Sequence, residues 1–408
     1  MSSTNILGLL GGLALFLYGM QMMSNGLESV AGNKMKDILE KLTSNRFLGI
    51  IVGALITAVI QSSSATTVMV VGFVNSGMMT LNQAVWIIMG ANIGTTITGQ
   101  LIALDVGALA PLIAFIGVAL VVFSKNEKVQ FVGEIIAGLG ILFVGMNMMG
   151  EAMVPLREYP PFINLMTRFS NPLIGIIAGM IFTAVIQSSS ASVGILQALC
   201  MTGAVPFSSA FPIIMGQNIG TCVTALLSAI GANKNAKRAA MIHLYFNLIG
   251  TVVFMSLFYL INTAVHFPFM TQMATPATIA ITHSVFNITA TVAWLPFSNL
   301  LVKLACLTIR DDKSDEVSKE DQEFMILESR FLEKPAFAVE QGRNAARHME
   351  RDSRKALDIS LGLLRNYEEE QAERVQKIET KVDRYEDELG TYLVKLNQKD
   401  LSVHDSHS

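Results

Sequence analysis

An internal repeat constrains this chain more than any other feature. The sequence matches itself at an offset of 126 residues, without a gap, over about ninety positions. Residues 44–65 read SNRFLGIIVGALITAVIQSSSA and residues 170–191 read SNPLIGIIAGMIFTAVIQSSSA, with 15 of 22 positions identical. Two copies of this length are too few for a solenoid. They are typical of membrane transporters, which bind substrate where two structural repeats meet.

The charged residues divide the chain into a membrane part and a soluble tail. Residues 1–310 contain 13 Lys or Arg and 8 Asp or Glu, whereas residues 311–408 contain 16 and 24. Because 51% of the chain is hydrophobic and only 15% is charged, we predict an all-α polytopic membrane protein with a soluble C-terminal helical domain. The net charge of −3 leaves no broad basic surface, which argues against nucleic acid as a partner.

Short apolar segments interrupt the series of predicted membrane crossings. A helix needs about 20 residues to cross a hydrocarbon core of roughly 30 Å. Segments 47–60 and 65–79 are too short and meet at Gln61-Ser-Ser-Ser, which predicts a re-entrant helical hairpin with a polar tip. A second hairpin is predicted around Gln187-Ser-Ser-Ser. The predicted crossings are 5–23, 81–104, 108–123, 131–150, 207–231, 239–262 and 276–300.

Two of these crossings contain a polar interruption. Residues 90–95 and the equivalent residues 216–221 both end in Asn-Ile-Gly-Thr, and we predict that each helix is broken there. Three crossings separate equivalent points of the two copies, so the repeats are predicted to be inverted. We therefore divide the chain into repeat 1 (1–130), repeat 2 with an extra crossing (131–310) and a cytoplasmic domain (311–408).

The basic residues predict the orientation in the membrane, because Lys and Arg accumulate in cytoplasmic loops. With the C-terminus inside, the outer segments hold only Arg157 and Arg168. The sequence therefore predicts a multi-pass membrane protein with an external N-terminus and a cytoplasmic tail. The basic residues assigned to the inside are Lys34, Lys36, Lys41, Arg46, Lys125, Lys128, Lys234, Lys237, Arg238, Lys303 and Arg310.

The two hairpin tips have the composition of a neutral ion-binding site. Residues 47–104 and 169–233 contain no Lys, Arg, Asp or Glu but many hydroxyl and amide side chains. Facing helix N-termini favour a small oxyanion, and hydroxyl, amide and carbonyl oxygens are suitable sodium ligands. The oxyanion candidates are Gln61, Ser62, Ser63, Ser64, Gln187, Ser188, Ser189 and Ser190. The sodium candidates are Gln61, Ser64, Asn92, Thr95, Gln187, Ser190, Asn218 and Thr221.

Two other interpretations of these polar residues are weaker. Small polar side chains also join membrane helices to one another, which would explain one isolated serine better than two repeated tips. A serine nucleophile needs a base, and no His, Asp or Glu lies near either tip in the sequence, so we do not expect an enzyme.

The paired QSSS motifs, each followed by an NIGT motif, resemble the sodium/phosphate cotransporter family with its type II phosphate transporter fold. The resemblance covers residues 5–310 and implies a location in a bacterial inner membrane. It implies that the two hairpins build the phosphate and sodium sites at the matching positions, with Na⁺ as the coupling ion, and by analogy a homodimer. Spacing alone implies only a small oxyanion. Import and export both remain open, as do a phosphate-responsive regulator without net transport, another oxyanion such as sulfate, and proton coupling.

Two further polar pairs lie on the late crossings. His243 and Asn247, and likewise His283 and Asn287, are four residues apart and so share a helix face. Each pair either braces a hairpin, relays a proton or forms an interhelical hydrogen bond, and we favour the last.

The tail is predicted to form two long amphipathic helices, over residues 339–367 and 368–396. It resembles a PhoU-type regulatory bundle, which implies a divalent metal at Glu379 and Asp383. Two carboxylates four residues apart are more often a solvated helix face. Relatives begin another helix where residues 400–408 stand, so we expect an incomplete bundle in a truncated chain.

Overall fold

The computed structural model describes residues 2–31, 45–104, 107–310, 324, 327–333 and 335–399. Regular structure in these residues is helical apart from one isolated bridge between Pro206 and Met273, which confirms the all-α class. The first repeat holds α1 (Ser3–Ala31), α2 (Arg46–Ile60), α3 (Ser63–Asn75), α4 (Leu81–Ile102) and α5 (Ala110–Phe123). The later helices are α6 (Glu127–Met153), α7 (Pro160–Phe169), α8 (Pro172–Ile186), α9 (Ser189–Cys200), α10 (Phe207–Ser228), α11 (Lys234–Val265), α12 (Pro276–Trp294), α13 (Ser298–Thr308), α14 (Pro335–Leu363) and α15 (Glu369–Leu396).

Within the described residues, six helical segments are long and apolar enough to cross a membrane. They are α1, α4, α6, α10, α11 and the run of α12 into α13. The crossing predicted at 108–123 is α5, whose 14 residues extend about 21 Å at 1.5 Å per residue. The chain is therefore a multi-pass membrane protein, with short apolar helices between its longer ones.

The first helices of the two repeats pack backbone to backbone. A Cβ added at Gly12 would lie 2.8 Å from the carbonyl oxygen of Gly145, and one added at Gly138 would lie 2.6 Å from that of Gly19. As the chain advances along α1, its contacts move backwards along α6, so the two helices are antiparallel. Gly12 and Gly138 are equivalent positions, as are Gly19 and Gly145. A two-fold rotation therefore exchanges these contacts, which confirms that the repeats are inverted.

Each repeat also contains a pair of parallel helices in close contact. In the first repeat, Gly53 on α2 approaches the carbonyl oxygen of Ile87 on α4, and Gly94 on α4 approaches that of Ala54. The same contacts recur between α8 and α10, where a Cβ added at Gly220 would lie 2.5 Å from the carbonyl oxygen of Met180. These glycines let the backbones touch, which fixes the height of each short helix along its longer neighbour.

The predicted break within α4 and α10 is wrong. Both helices run continuously through residues 90–95 and 216–221. The glycines there serve close packing rather than a change of direction. The polar side chains also remain satisfied within a helix, because Asn92 Nδ2 donates to the Ile88 carbonyl over 2.9 Å and Thr95 Oγ1 to the Ala91 carbonyl over 3.1 Å.

The chain reverses direction at each QSSS motif. Gln61 and Gln187 have φ values of 57° and 58°, the left-handed conformation that ends a helix, and they cap α2 and α8. Because α8 and α10 run parallel, the intervening α9 must return the chain to the level where α8 began. The same connectivity applies to residues 63–80 in the first repeat. Each motif is thus the turn of a helical hairpin.

The chain divides into two compact units. One contains residues 1–71 and 81–310, and the other contains residues 72–80 and 311–408. In the second unit the ring of Phe73 packs against Phe331 and Phe337, with centroid distances of 5.2 Å and 5.1 Å. Residues 72–80 therefore belong structurally with the C-terminal part of the chain.

The tail helices α14 and α15 confirm the two predicted amphipathic helices, within a few residues at each end. They pack antiparallel, since Gly342 lies near Leu393 and Lys381 Nζ lies 2.7 Å from Asp352 Oδ2. The ring of the buried Tyr385 packs at a tilt against Phe324 in a small core, with ring centroids 4.5 Å apart.

The metal site proposed for the tail finds no support in this packing. Glu379 and Asp383 are both exposed, and no cluster of three His, Cys, Asp or Glu side chains occurs among the described residues. The resemblance of the tail to a PhoU-type bundle remains a prediction. Residues 400–408 and the predicted inner basic residues Lys34, Lys36 and Lys41 lie outside the described residues.

Replacing Gly19 with alanine should destabilise the protein. The added Cβ would lie 2.6 Å from the carbonyl oxygen of Gly138, which cannot rotate away. Overpacking of this kind costs roughly 1–3 kcal/mol, so the unfolding temperature of the purified variant in detergent should fall. Gly8→Ala is the matched control, because its Cβ would meet only the Ala152 side chain at an ordinary 3.4 Å. Equal unfolding temperatures would contradict the close backbone contact.

Candidate functional site at the QSSS tips

The two hairpin tips meet. Ser63 Oγ lies 3.4 Å from Ser189 Oγ, and Ser190 Oγ donates to the carbonyl oxygen of Gln61 over 3.3 Å. Ser63 and Ser189 are equivalent positions 126 residues apart, so the pseudo-two-fold axis passes between them. The structure thus brings together the two segments that the sequence nominates for one shared site.

Two helix N-termini converge at this point. Helix α3 begins at Ser63 and α9 begins at Ser189. Ser62 Oγ accepts a hydrogen bond from the Ala65 amide at 3.1 Å, and Ser188 Oγ accepts one from the Ala191 amide at 3.2 Å. These two serines are therefore N-caps whose hydroxyl protons stay available as donors. The first-turn amides of both helices add partial positive charge, which favours an anion.

Hydrogen bonds between the two arms stiffen each hairpin. Thr57 Oγ1 donates to Thr66 Oγ1 over 2.9 Å, and the equivalent Thr183 and Ser192 hydroxyls lie 2.7 Å apart.

The buried Ser64 Oγ has no hydrogen-bond partner among the described residues. One predicted ligand at the first tip is therefore a hydroxyl that no group in the described part of the chain satisfies.

The two tip glutamines have different surroundings. Gln61 is buried, and its Oε1 accepts a hydrogen bond from Thr98 Oγ1 at 2.7 Å. Gln187 is exposed, and the hydroxyl of Thr224, the equivalent of Thr98, is buried without a partner within the described part of the chain. The first tip glutamine is therefore buried and hydrogen-bonded, whereas the second is exposed.

A sequence difference between the copies contributes to this asymmetry. Ser24 Oγ on α1 donates to the carbonyl oxygen of Ile60 over 2.7 Å. This hydrogen bond joins the first hairpin tip to α1, which packs against α6. The equivalent residue on α6 is Gly150, which has no side chain to make that bond. The second tip therefore lacks one of the anchors of the first.

The predicted sodium ligands on α4 and α10 lie at equivalent, buried positions. Thr95 and Thr221 donate to carbonyls of their own helices, over 3.1 Å and 3.0 Å. The oxygens of Asn92 and Asn218 accept hydrogen bonds from α11 and α12 instead of pointing freely towards a tip. Their role towards sodium stays a prediction, and their observed contacts join neighbouring helices.

Sequence reasoning missed one conspicuous buried side chain. Gln197 on α9 is fully buried, and its Nε2 donates to the Gly99 carbonyl over 3.0 Å and to the Pro276 carbonyl over 2.9 Å. One amide thereby links the returning arm of the second hairpin to α4 and to the start of α12. A glutamine amid apolar residues in a predicted arm was the only signal available in the sequence.

The double variant Ser63→Cys, Ser189→Cys should form a disulfide under mild oxidation, because the native side-chain oxygens lie 3.4 Å apart. Mass spectrometry of the purified protein should find the cross-link in the double variant and in neither single variant. Ser63→Cys, Ser192→Cys is the comparison, since Ser192 lies one helical turn further along α9. Cross-linking of both pairs, or of neither, would contradict the contact of the tips.

Comparison with known proteins places this architecture in a family. The sequence profile of the Na⁺/Pi-cotransporter family matches residues 15–151 and 161–275. The chain is 25% identical over 406 residues to the "Putative inorganic phosphate export protein YjbB" of Escherichia coli O157:H7, covering 98% of this chain and 73% of that protein.

Two other relatives differ in the part they match. The "Uncharacterized protein YqeW" of Bacillus subtilis is 29% identical over 297 residues, covering 72% of this chain and 95% of that protein. The human "Sodium-dependent phosphate transport protein 2B" is 40% identical over 98 residues, which are 24% of this chain and 14% of that protein. No solved structure matches the chain. From the extent of the profile match, the chain belongs to the Na⁺/Pi-cotransporter family, a family of transporters and not of enzymes.

Proposed function

We propose that this protein transports inorganic phosphate across the membrane together with Na⁺, and that phosphate binds between the two QSSS tips. The observation that carries the proposal is the 3.4 Å contact between Ser63 and Ser189, each at the N-terminus of a helix. Amides and hydroxyls from two inverted copies then face a single small volume. Such a donor set suits a tetrahedral oxyanion.

The absence of basic residues from the two motif regions supports sodium as the coupling ion. Residues 47–104 and 169–233 contain no charged side chain, so nothing in them neutralises the charge of a bound phosphate. A bound cation would supply that charge. The oxygens of Gln61, Ser64, Gln187 and Ser190 provide hard ligands close to the anion. Phosphate and sodium should therefore bind with positive coupling.

The short arms of the hairpins support hairpins that do not cross the membrane. Helix α2 has 15 residues and α3 has 13, fewer than the about 20 that a crossing needs. On this basis the first hairpin is re-entrant, and by the repeat so is the second. The distribution of Lys and Arg supports an N-terminus outside the cell and a tail in the cytoplasm of a bacterium.

The unequal covering of the tips supports an alternating-access cycle. Gln61 is closed off by Thr98 while Gln187 is exposed. The pseudo-two-fold symmetry allows a second conformation in which the two tips have exchanged surroundings. In that conformation the first tip would be open and the second closed. Each state then presents the shared site to one side of the membrane. By family resemblance we also expect a homodimer.

Gln61→Ala and Gln187→Ala should each reduce sodium-dependent phosphate uptake into proteoliposomes at least tenfold, because each removes a predicted ligand of the shared site. Labelled phosphate uptake is measured with and without an inward sodium gradient. Gln21→Ala is the control, since Gln21 is exposed and its amide donates a hydrogen bond to the nearby Asn25 rather than to either tip. The unfolding temperature of each variant shows whether it is folded.

Other results would change the assignment. If only one glutamine mattered, the two tips would not share a site. Phosphate binding without flux would make the protein a phosphate-responsive regulator. Competition by sulfate would point to another oxyanion, and flux driven by a proton gradient alone would remove sodium as the coupling ion.

A further inference from the structure

The helices that follow the repeats carry a doubled motif of their own. His243, Asn247 and Thr251 on α11 recur as His283, Asn287 and Thr291 on α12. Residues four apart share one face of a helix. All six side chains are at most 3% exposed. Buried imidazoles and amides in apolar surroundings need hydrogen-bond partners, so the face that they form must be directed at other polar groups.

Their partners are the asparagines of the two NIGT motifs. His283 Nε2 lies 3.1 Å from Asn218 Oδ1, and Asn287 Nδ2 donates to the same oxygen over 3.3 Å. In the other copy, Asn247 Nδ2 donates to Asn92 Oδ1 over 3.5 Å. Because Asn92 and Asn218 are equivalent positions, each of the two late helices holds the motif asparagine of one repeat.

The geometry at Asn218 fixes the donors. Its Nδ2 donates to the Ile214 carbonyl over 2.9 Å, so Oδ1 is the atom that faces His283. A carbonyl oxygen only accepts, so the proton of this hydrogen bond is on Nε2 of the imidazole. One ring and one amide thus converge on a single oxygen near the middle of α10.

The two motif asparagines accept different numbers of hydrogen bonds from the late helices. Asn218 Oδ1 has two donors, whereas Asn92 Oδ1 has one, and neither ring nitrogen of His243 has a partner among the described residues. The tip glutamines show the reverse difference. Gln61 of the first copy is hydrogen-bonded and buried, whereas Gln187 of the second copy is exposed. Thr98 and Thr224 each lie six residues beyond the motif asparagine on the same helix. The asparagine with two donors therefore accompanies a threonine whose hydroxyl has no partner among the described residues.

We propose that His243 and His283, each with the asparagine four residues later, are positioning residues for transport. This inference rests on the proposed function of the tips. Each imidazole holds the motif asparagine of one repeat helix and thereby sets where the threonine of that helix stands relative to the hairpin tip. In the opposite state His243 donates to Asn92, His283 releases Asn218, and Thr224 closes on Gln187.

The test compares His283→Leu with His283→Gln in the full-length protein. Leucine fills the space without a donor, whereas the glutamine amide can still donate to Asn218. We expect His283→Leu to raise the sodium concentration for half-maximal phosphate uptake, or to lower the maximal rate, about tenfold. His283→Gln should stay within about threefold of the wild type. Ser284→Ala is the control on the same helix, because it loses a 2.8 Å hydrogen bond from Gln100 away from the motif.

A second measurement separates this inference from the proposed function. The rise in unfolding temperature caused by phosphate and sodium is recorded for every purified variant. Loss of that rise in His283→Leu and its retention in His283→Gln would support positioning even if the wild type moved no phosphate. Equal behaviour of the leucine, glutamine and wild-type proteins would overturn the inference. Equal impairment of leucine, glutamine and Ser284→Ala variants, in step with lower stability, would reduce His283 to helix packing and overturn it too.

Discussion

The fold depends on one constraint, which is that a polar turn inside a membrane must be covered by protein. The bilayer core offers no water, and each unsatisfied backbone group there costs several kcal/mol. The left-handed turns at Gln61 and Gln187 end two helices and precede two others, and in the proposed re-entrant arrangement they lie at such a place. Ser63, Ser189 and Ser190 join the two turns to each other, which contributes to the burial of Gln61 while Gln187 stays exposed. The contact between the two copies thus serves the fold as well as the proposed site.

Glycine contacts bring the tips to the same point. Lipid tails are as apolar as leucine, so close van der Waals packing rather than the hydrophobic effect holds membrane helices together. The seam of Gly12, Gly19, Gly138 and Gly145 fixes the two copies around the pseudo-two-fold axis. The parallel contacts of α2 with α4 and of α8 with α10 then set the height of each turn. These two sets of backbone contacts therefore bring four helix ends close together. They are the C-terminal ends of α2 and α8 and the N-terminal ends of α3 and α9.

The sequence predicted most of this architecture, because an internal repeat and the lengths of apolar segments can be recognised without knowledge of tertiary contacts. The inverted copies, the two short-armed hairpins and the tail helices all follow from spacing. The predicted break at Gly90 and Gly216 failed because a glycine that permits close packing looks the same in a sequence as one that ends a helix. The pairing of Gln61 with Thr98 could not be predicted, since it depends on the relative height of two parallel helices.

The two QSSS tips have the same sequence but different surroundings. The proposed alternating-access cycle requires such a difference. If the two copies were identical, the states related by the two-fold axis would have equal energy. The bond from Ser24 to the Ile60 carbonyl exists on one side only, because Gly150 stands at the equivalent position. A net contribution of about 1 kcal/mol from such a bond would bias the two states roughly fivefold. That bias is small enough for bound ions to reverse, which is what the proposed alternating-access cycle requires of the two tips.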